Sequence, residues 1–160
     1  MDVHSAQDLL TRRIGDVHTS ACFLAQHIPS MVSAAASVDL RKLLNLYLDV
    51  VRDNADRTEE VLKAVTSVTT DRDPTAVPAM VDDLFDLIER IEEPALVDVA
   101  ILFSSNEIGA YEAQRFILLS DFANTLGRTE TTEVLRESGR SLTTICDQLR
   151  HMIDTDADSS

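Results

Sequence analysis

The sequence predicts an all-α fold, a bundle of four long helices with one additional short helix in a crossover connection. Apolar residues recur at three- and four-residue spacing through four long segments, and no competing segment has the alternating pattern of a strand. With 160 residues the chain is long enough for one domain around a single core. We expect that domain to span residues 1–153 and the acidic tail, residues 154–160, to be disordered.

The first two long helices have clear start signals. Ser5 followed by Asp8 is typical of a capping arrangement and predicts a helix from Ala6 to about Ala34. Pro29 lies within this pattern and is expected to bend the last turns rather than end the helix, because the apolar face continues beyond it. Ser37 is a good N-cap for a second helix over residues 38–65.

The second half of the chain predicts one short and two long helices. Residues 66–78 are rich in turn formers and form a connection, after which a short helix begins with Pro78 near its first turn. Pro94 opens the next long helix and Gly127 is placed to end it, and the last helix runs from after Thr129 to about Ile153. The predicted inner face of the Pro94 helix consists of Val97, Ile101, Ser104, Ile108, Tyr111, Phe116, Leu119 and Phe122.

The lengths of the connections decide the topology. Two helical hairpins with short turns are joined by one long connection that carries the short helix. This is ferritin-like connectivity, in contrast to a simple up-down bundle.

Charge and hydropathy limit the partners. The 18 Asp and 10 Glu against 12 Arg and 2 Lys give a formal net charge of −14, which opposes binding to nucleic acid or to anionic lipid. The first residues, MDVHSAQDLLTRR, contain no apolar signal region, and no stretch approaches the length of a membrane span. Cys22 and Cys146 are too few for a disulfide framework and are read as reduced core thiols. We therefore expect a cytoplasmic protein.

The histidines do not form the usual metal motif of such bundles, in which a carboxylate precedes a histidine by three residues. Gly15, Leu24 and Gln148 stand three places before His18, His27 and His151. Both His18 and His27 are expected at the surface or rim.

Three segments resemble the YciE/YciF-type ferritin-like proteins. They are IPSMVSAAASVDLRKLL, AMVDDLFDLIERIEEPALVDVAILFSSNEIGAYEAQRF and FANTLG, which follow one another at the right spacing. The resemblance implies a bundle of four long helices and one short helix, a homodimer, a two-metal carboxylate site between the helices and an association with stress responses.

The first two helices keep little of the metal site that the resemblance implies. The family's Tyr-x-Ala-Glu pattern falls on HTSA, so that Ala21 replaces its glutamate. Its His-Leu-Glu-Glu-Thr pattern falls on Tyr47, Leu48, Asp49, Val50 and Val51, which keeps one acid and no histidine.

The last two helices keep one acid each. The Glu-His-Tyr-Glu pattern falls on Gly109, Ala110, Tyr111 and Glu112, and the Glu-Glu-Lys pattern falls on Ser141, Leu142 and Thr143, with Glu137 one turn earlier as a matching acid.

The remaining acids do not make a two-metal site, which needs about four converging carboxylates with imidazole support. Asp49, Glu112 and Glu137 are remnant candidates for one metal ion, or acids that pair with Arg52 or Arg115. The substituted residues are expected to close an apolar core, and they are Ala21, Val50, Val51, Ala110 and Leu142.

Three functions are compatible with this pattern. The first is a non-enzymatic structural or interaction protein without metal, cofactor or catalytic residues. The alternative is a divergent metal-binding oxidase or peroxidase-like enzyme that uses Asp49, Glu112 and Glu137. A third is a bundle that binds an apolar ligand in space left at Ala21, Gly109, Ala110 and Gly139.

Overall fold

The computed structural model describes residues 2–66 and 72–157, and these residues form five helices and no strand. The helices are α1 (Ala6–Ala34), α2 (Val38–Val65), α3 (Ala76–Ile88), α4 (Pro94–Thr125) and α5 (Thr129–Ala157). Part of the predicted connection, residues 67–71, lies outside the described residues, as do residues 158–160 of the predicted tail. The predicted all-α ferritin-like bundle is confirmed.

The four long helices form a bundle in which each packs on two neighbours. α1 packs on α2 and on α4, and α5 packs on α4 and on α2, while α3 covers α4 and α1. The hydrogen bond from Arg115 Nη1 to Ser20 Oγ (3.2 Å) ties α4 to α1, and that from Asn106 Nδ2 to the Cys146 carbonyl (2.8 Å) ties α4 to α5. The core therefore lies along one axis between all four helices.

Local signals set most helix ends where the sequence placed them. Ser5 Oγ accepts from the Asp8 amide (3.0 Å) and Ser37 Oγ from the Leu40 amide (3.3 Å), so both predicted N-caps are confirmed. Gly127 has φ +69°, the left-handed conformation that favours glycine after a helix end. The Arg128 amide then donates to the Ala123 carbonyl (2.9 Å) and that of Gly127 to the Asn124 carbonyl (3.0 Å), which is a Schellman motif.

Two helices continue beyond a position at which the sequence could have ended them. α1 continues through Pro29 to Ala34, as expected. α5 continues past the predicted end at Ile153 to Ala157, because residues 154–157 contain neither proline nor glycine and Thr155 Oγ1 donates to the His151 carbonyl (3.3 Å).

The α1–α2 hairpin is anchored by a carboxylate from another helix. Asp98, in the first turns of α4 and 6% exposed, accepts from the amides of Ala36 (2.7 Å) and Ser37 (2.8 Å). Arg41 Nη1 donates to the Ala35 carbonyl (2.9 Å) at the end of α1. One carboxylate thus satisfies two amides of the turn and fixes the start of α2 against α4.

We predict that Asp98→Ala lowers the free energy of unfolding by about 1.5–3 kcal/mol, the usual range for hydrogen bonds to a charged group. Asp98→Asn keeps one of the two acceptor oxygens and is expected to lower the free energy of unfolding by less. Urea denaturation measures the effect, with Asp121→Asn, an exposed acid of the same helix, as the control. Equal stability of Asp98→Ala and the wild type would contradict the anchoring role.

Candidate functional site

The centre of the bundle contains a buried ion pair. Glu112 of α4 is 2% exposed, and its Oε1 lies 2.8 Å from Arg115 Nη1, one turn further along the same helix. The same Nη1 atom donates to Ser20 Oγ of α1, and the guanidinium lies 5.2 Å from the centre of the Tyr111 ring. The pairing of Glu112 with Arg115 that the spacing allowed is confirmed.

The environment of Glu112 opposes its charge. Burial raises the pKa of this carboxyl group above its ordinary value of 4.5, and the adjacent Arg115 guanidinium acts in the opposite direction. A carboxylate in this position is therefore stable only together with its counter-charge.

Tyr47 and Cys146 meet at Gly109, one turn before Glu112 on α4. Tyr47 is fully buried, and a Cβ atom at Gly109 would lie 3.5 Å from its hydroxyl oxygen and 2.8 Å from Cys146 Sγ. Gly109 is thus a point of close approach of α4 to α2 and α5. The space expected for an apolar ligand at Gly109 is filled, as it is at Gly139, where a Cβ atom would lie 3.1 Å from Ile117.

The phenol and the thiol are both neutral at physiological pH. Burial, with a smaller effect of the Glu112 charge, raises the pKa of Tyr47 well above its ordinary value. Burial also raises the pKa of the Cys146 thiol to about 11, so that it is no activated nucleophile.

A second cysteine lies next to a histidine on α1. Cys22 Sγ is 3.6 Å from His18 Nε2, and His18 Nδ1 lies 2.9 Å from Thr58 Oγ1 and 3.1 Å from the Ala55 carbonyl of α2. The carbonyl contact indicates a proton on Nδ1. Burial, then the charges of Glu59 and Asp56, raise the pKa of Cys22, so this residue is a neutral thiol.

The remaining acids that the sequence singled out do not join Glu112. Asp49 and Glu137 are both exposed, and within residues 2–66 and 72–157 no group of three or more His, Cys, Asp or Glu side chains is arranged to hold a metal ion. Glu112 Oε1 is already bonded to Arg115. The described residues do not fit a two-metal site, and the three acids that the sequence kept as candidates for one metal ion do not lie together.

Several residues lie differently from the sequence-based expectation. Tyr111 is 39% exposed and Ala110 is exposed, so neither belongs to the core. His18 and His27 are both half-buried, which is compatible with the predicted surface or rim position, whereas Cys22 is half-buried rather than a core thiol. Apolar residues occur on every side of α4, and their periodicity cannot identify the inner face of such a helix.

Sequence reasoning also missed polar residues of the core. Ser20, Asn54 and Ser138 are each 2% exposed or less. The signal that could have found Asn54 and Ser138 is a polar residue at an otherwise apolar heptad position.

We predict that Arg115→Met lowers the free energy of unfolding at pH 7 by about 3–5 kcal/mol, because it leaves Glu112 as an unpaired buried charge. Without the arginine, the pKa of Glu112 rises further, so that folding takes up a proton. The free energy of unfolding of the variant then falls as the pH rises from 4.5 through the raised pKa of Glu112. The difference in stability between the variant and the wild type therefore becomes smaller as the pH is lowered. Urea denaturation between pH 4.5 and 8 measures this dependence.

The double variant Glu112→Gln/Arg115→Met removes both charges and is expected to lose the additional pH dependence. Arg136→Met is the matched control, because Arg136 pairs with Glu133 at the same helical spacing (2.7 Å) but on the surface. We expect this control to cost no more than about 1 kcal/mol. A similar loss for both arginine variants would contradict a special role of the buried pair.

The bundle geometry matches that of solved proteins. YciF, described as a stress protein of E. coli, has a TM-score of 0.91 at 15% identity, covering 99% of this chain and 100% of its own. YcfI from Rhodopseudomonas palustris, for which a structural role has been suggested, has a TM-score of 0.88 at 19% identity, covering 93% and 95%. No curated protein matches the sequence significantly. The model of a domain of unknown function, DUF892, matches residues 5–159, and the chain belongs to this YciF-type family.

Proposed function

We propose that this chain is a non-enzymatic structural or interaction protein, a metal-free ferritin-like bundle that acts in the cytoplasm as a homodimer. The observation that carries the proposal is the ion pair of Glu112 and Arg115. An arginine of the chain itself supplies the positive charge that a metal ion would otherwise give to this buried carboxylate. The descriptions of YcfI and YciF favour a structural role that is associated with stress.

The chemistry of the other core residues supports the same conclusion. The thiol and phenol nearest to Glu112 have raised pKa values, so neither is poised as a nucleophile or an anionic ligand. The half-buried Cys22 has a raised pKa as well.

In the part of the chain that the structure describes, no helix is both long and apolar enough to cross a membrane.

The homodimer is proposed from the outer face of α4. Leu96, Phe103, Ala110 and Leu118 are exposed at spacings of seven and eight residues, and Tyr111 extends the stripe. The exposed acids of this helix are Glu107, within the stripe, and Asp121, just beyond its end, a low charge density for a chain with net charge −14. From Leu96 to Leu118 the stripe is about 33 Å long, at 1.5 Å rise per residue. In a dimer with two-fold symmetry, the stripe of one subunit would pack on the same stripe of the other, which removes apolar surface of both subunits from water.

The experiment for the metal-free proposal is elemental analysis together with an anaerobic Fe(II) titration that follows absorbance and melting temperature. We expect no stoichiometric metal and no shift in melting temperature for the wild type or for Glu112→Gln. Tight binding that is lost in Glu112→Gln would contradict the proposal and favour the divergent oxidase or peroxidase-like enzyme.

We predict that Phe103→Glu converts the dimer to a monomer, because it replaces the largest apolar side chain of the α4 stripe by a second negative charge one turn from Glu107. Light scattering coupled to size exclusion measures the mass over a range of protein concentrations. Leu46→Glu is the matched control, since Leu46 of α2 and Phe103 are both 52% exposed. A wild type that is monomeric at all concentrations, or equal dissociation by both variants, would contradict the proposed interface.

A further inference from the structure

Five buried polar atoms have no hydrogen-bond partner among the described residues, and all belong to α2 or α5. They are the Tyr47 hydroxyl, Asn54 Oδ1, Asn54 Nδ2, Arg57 Nη1 and Ser138 Oγ. Asn54 is 1% exposed and Ser138 is fully buried. Because a buried polar atom without a partner is strongly unfavourable, this concentration of such atoms in two adjacent helices points to an occupant.

The α2 residues of this set share the face that looks toward α5. They belong to one stripe of α2 with three- and four-residue spacing, which consists of residues 47, 50, 54, 57 and 61. The face toward α1 includes Ala55, whose carbonyl contacts His18 and which lies about 100° around the helix from Asn54. Asn54 and Arg57 therefore line the interface between α2 and α5.

The register of the two helices places Ser138 at the same level. Tyr47 and Cys146 both approach Gly109, so these positions lie opposite each other in the bundle. α2 and α5 are antiparallel, and seven residues along α2 from Tyr47 correspond to seven residues back along α5 from Cys146. Asn54 thus lies opposite the Ser138–Gly139 pair.

Ser138 differs from the other hydroxyl residues of α5 in its hydrogen bonding. Thr132, Ser141, Thr143 and Thr144 each donate to the carbonyl four residues earlier in the chain. This is the usual way in which a helical hydroxyl is satisfied. Ser138 Oγ makes no such bond among the described residues, so its hydroxyl remains available to an occupant of the interface with α2.

We propose that ordered water occupies the interface of α2 and α5 and bridges Asn54, Arg57 and Ser138. Arg57 Nη1, Asn54 Nδ2 and the Ser138 hydroxyl are donors, and Asn54 Oδ1 is an acceptor. Water accepts from the donors and donates to the amide oxygen, and a buried water typically makes about three such bonds. An anion would leave Oδ1 without a donor, and an apolar ligand would leave all four atoms without partners. This water site is independent of the proposed function.

The direct test is a crystal structure of the full chain at about 1.5 Å resolution, with a second crystal soaked in bromide. We expect a peak at about 2.7–3.2 Å from both Asn54 and Ser138, and no anomalous bromide signal there. A bromide signal would overturn the proposal in favour of an anion. The absence of a peak, or a direct bond between the side chains, would overturn it in favour of a dry interface.

A double-mutant cycle tests the shared water in solution. Asn54→Leu and Ser138→Ala are each expected to lower the melting temperature by about 2–4 °C, and the double variant by less than the sum. The control pair is Asn45→Leu, an exposed asparagine of α2, with Ser141→Ala, whose hydroxyl bonds within α5, and its effects are expected to add. A higher melting temperature for Asn54→Leu, or additivity of the first pair, would contradict a bridging water.

Discussion

The free energy required to bury one carboxylate constrains the centre of this protein. Glu112 is only 2% exposed, and transfer of its charge from water is unfavourable by several kcal/mol unless a cation accompanies it. Arg115 supplies that cation from the next turn of the same helix, with one atom that also reaches Ser20. The pair needs no external ion to form, and its hydrogen bond to α1 makes it a cross-link between two helices.

The unusual composition of α4 follows from its position. Its inner face packs against α1 and α5, and its N-terminal part also carries α3, so apolar residues are needed over much of its circumference. Asp98 and Glu112 are the buried acids of this helix, and each is satisfied by groups of defined geometry, two backbone amides for one and an arginine for the other. The apolar residues that remain exposed, such as Phe103 and Leu118, are not explained by packing within one chain. A surface of this kind on a helix of low charge is typical of a protein–protein interface.

The sequence predicted the helices well because their ends depend on local chemistry. Ser5, Ser37, Pro94 and Gly127 act within a few residues of themselves, and their effects are visible without tertiary structure. The site was less predictable, because its contacts join residues far apart in the chain, as between Ser20 and Arg115. Tyr111 was placed in the core for a related reason. In a helix that is apolar all round, the periodicity of apolar residues does not indicate which face is inside.

The apolar and the polar residues of this core lie at different positions along the helices. Ala21, Val51 and Leu142 are buried at positions that the resemblance assigned to the metal-binding patterns, and they make the core more apolar there. Asn54 and Ser138 lie outside those patterns and are polar residues buried in α2 and α5. A polar interface between two helices is less strongly driven together by the hydrophobic effect than an apolar one, but it is more specific in register, because each polar atom accepts only a few arrangements. The bundle therefore combines a close approach of α4 to α5 at Gly139, which the bond from Asn106 to the Cys146 carbonyl also holds, with buried polar side chains on α2 and α5 that favour one register of the two hairpins.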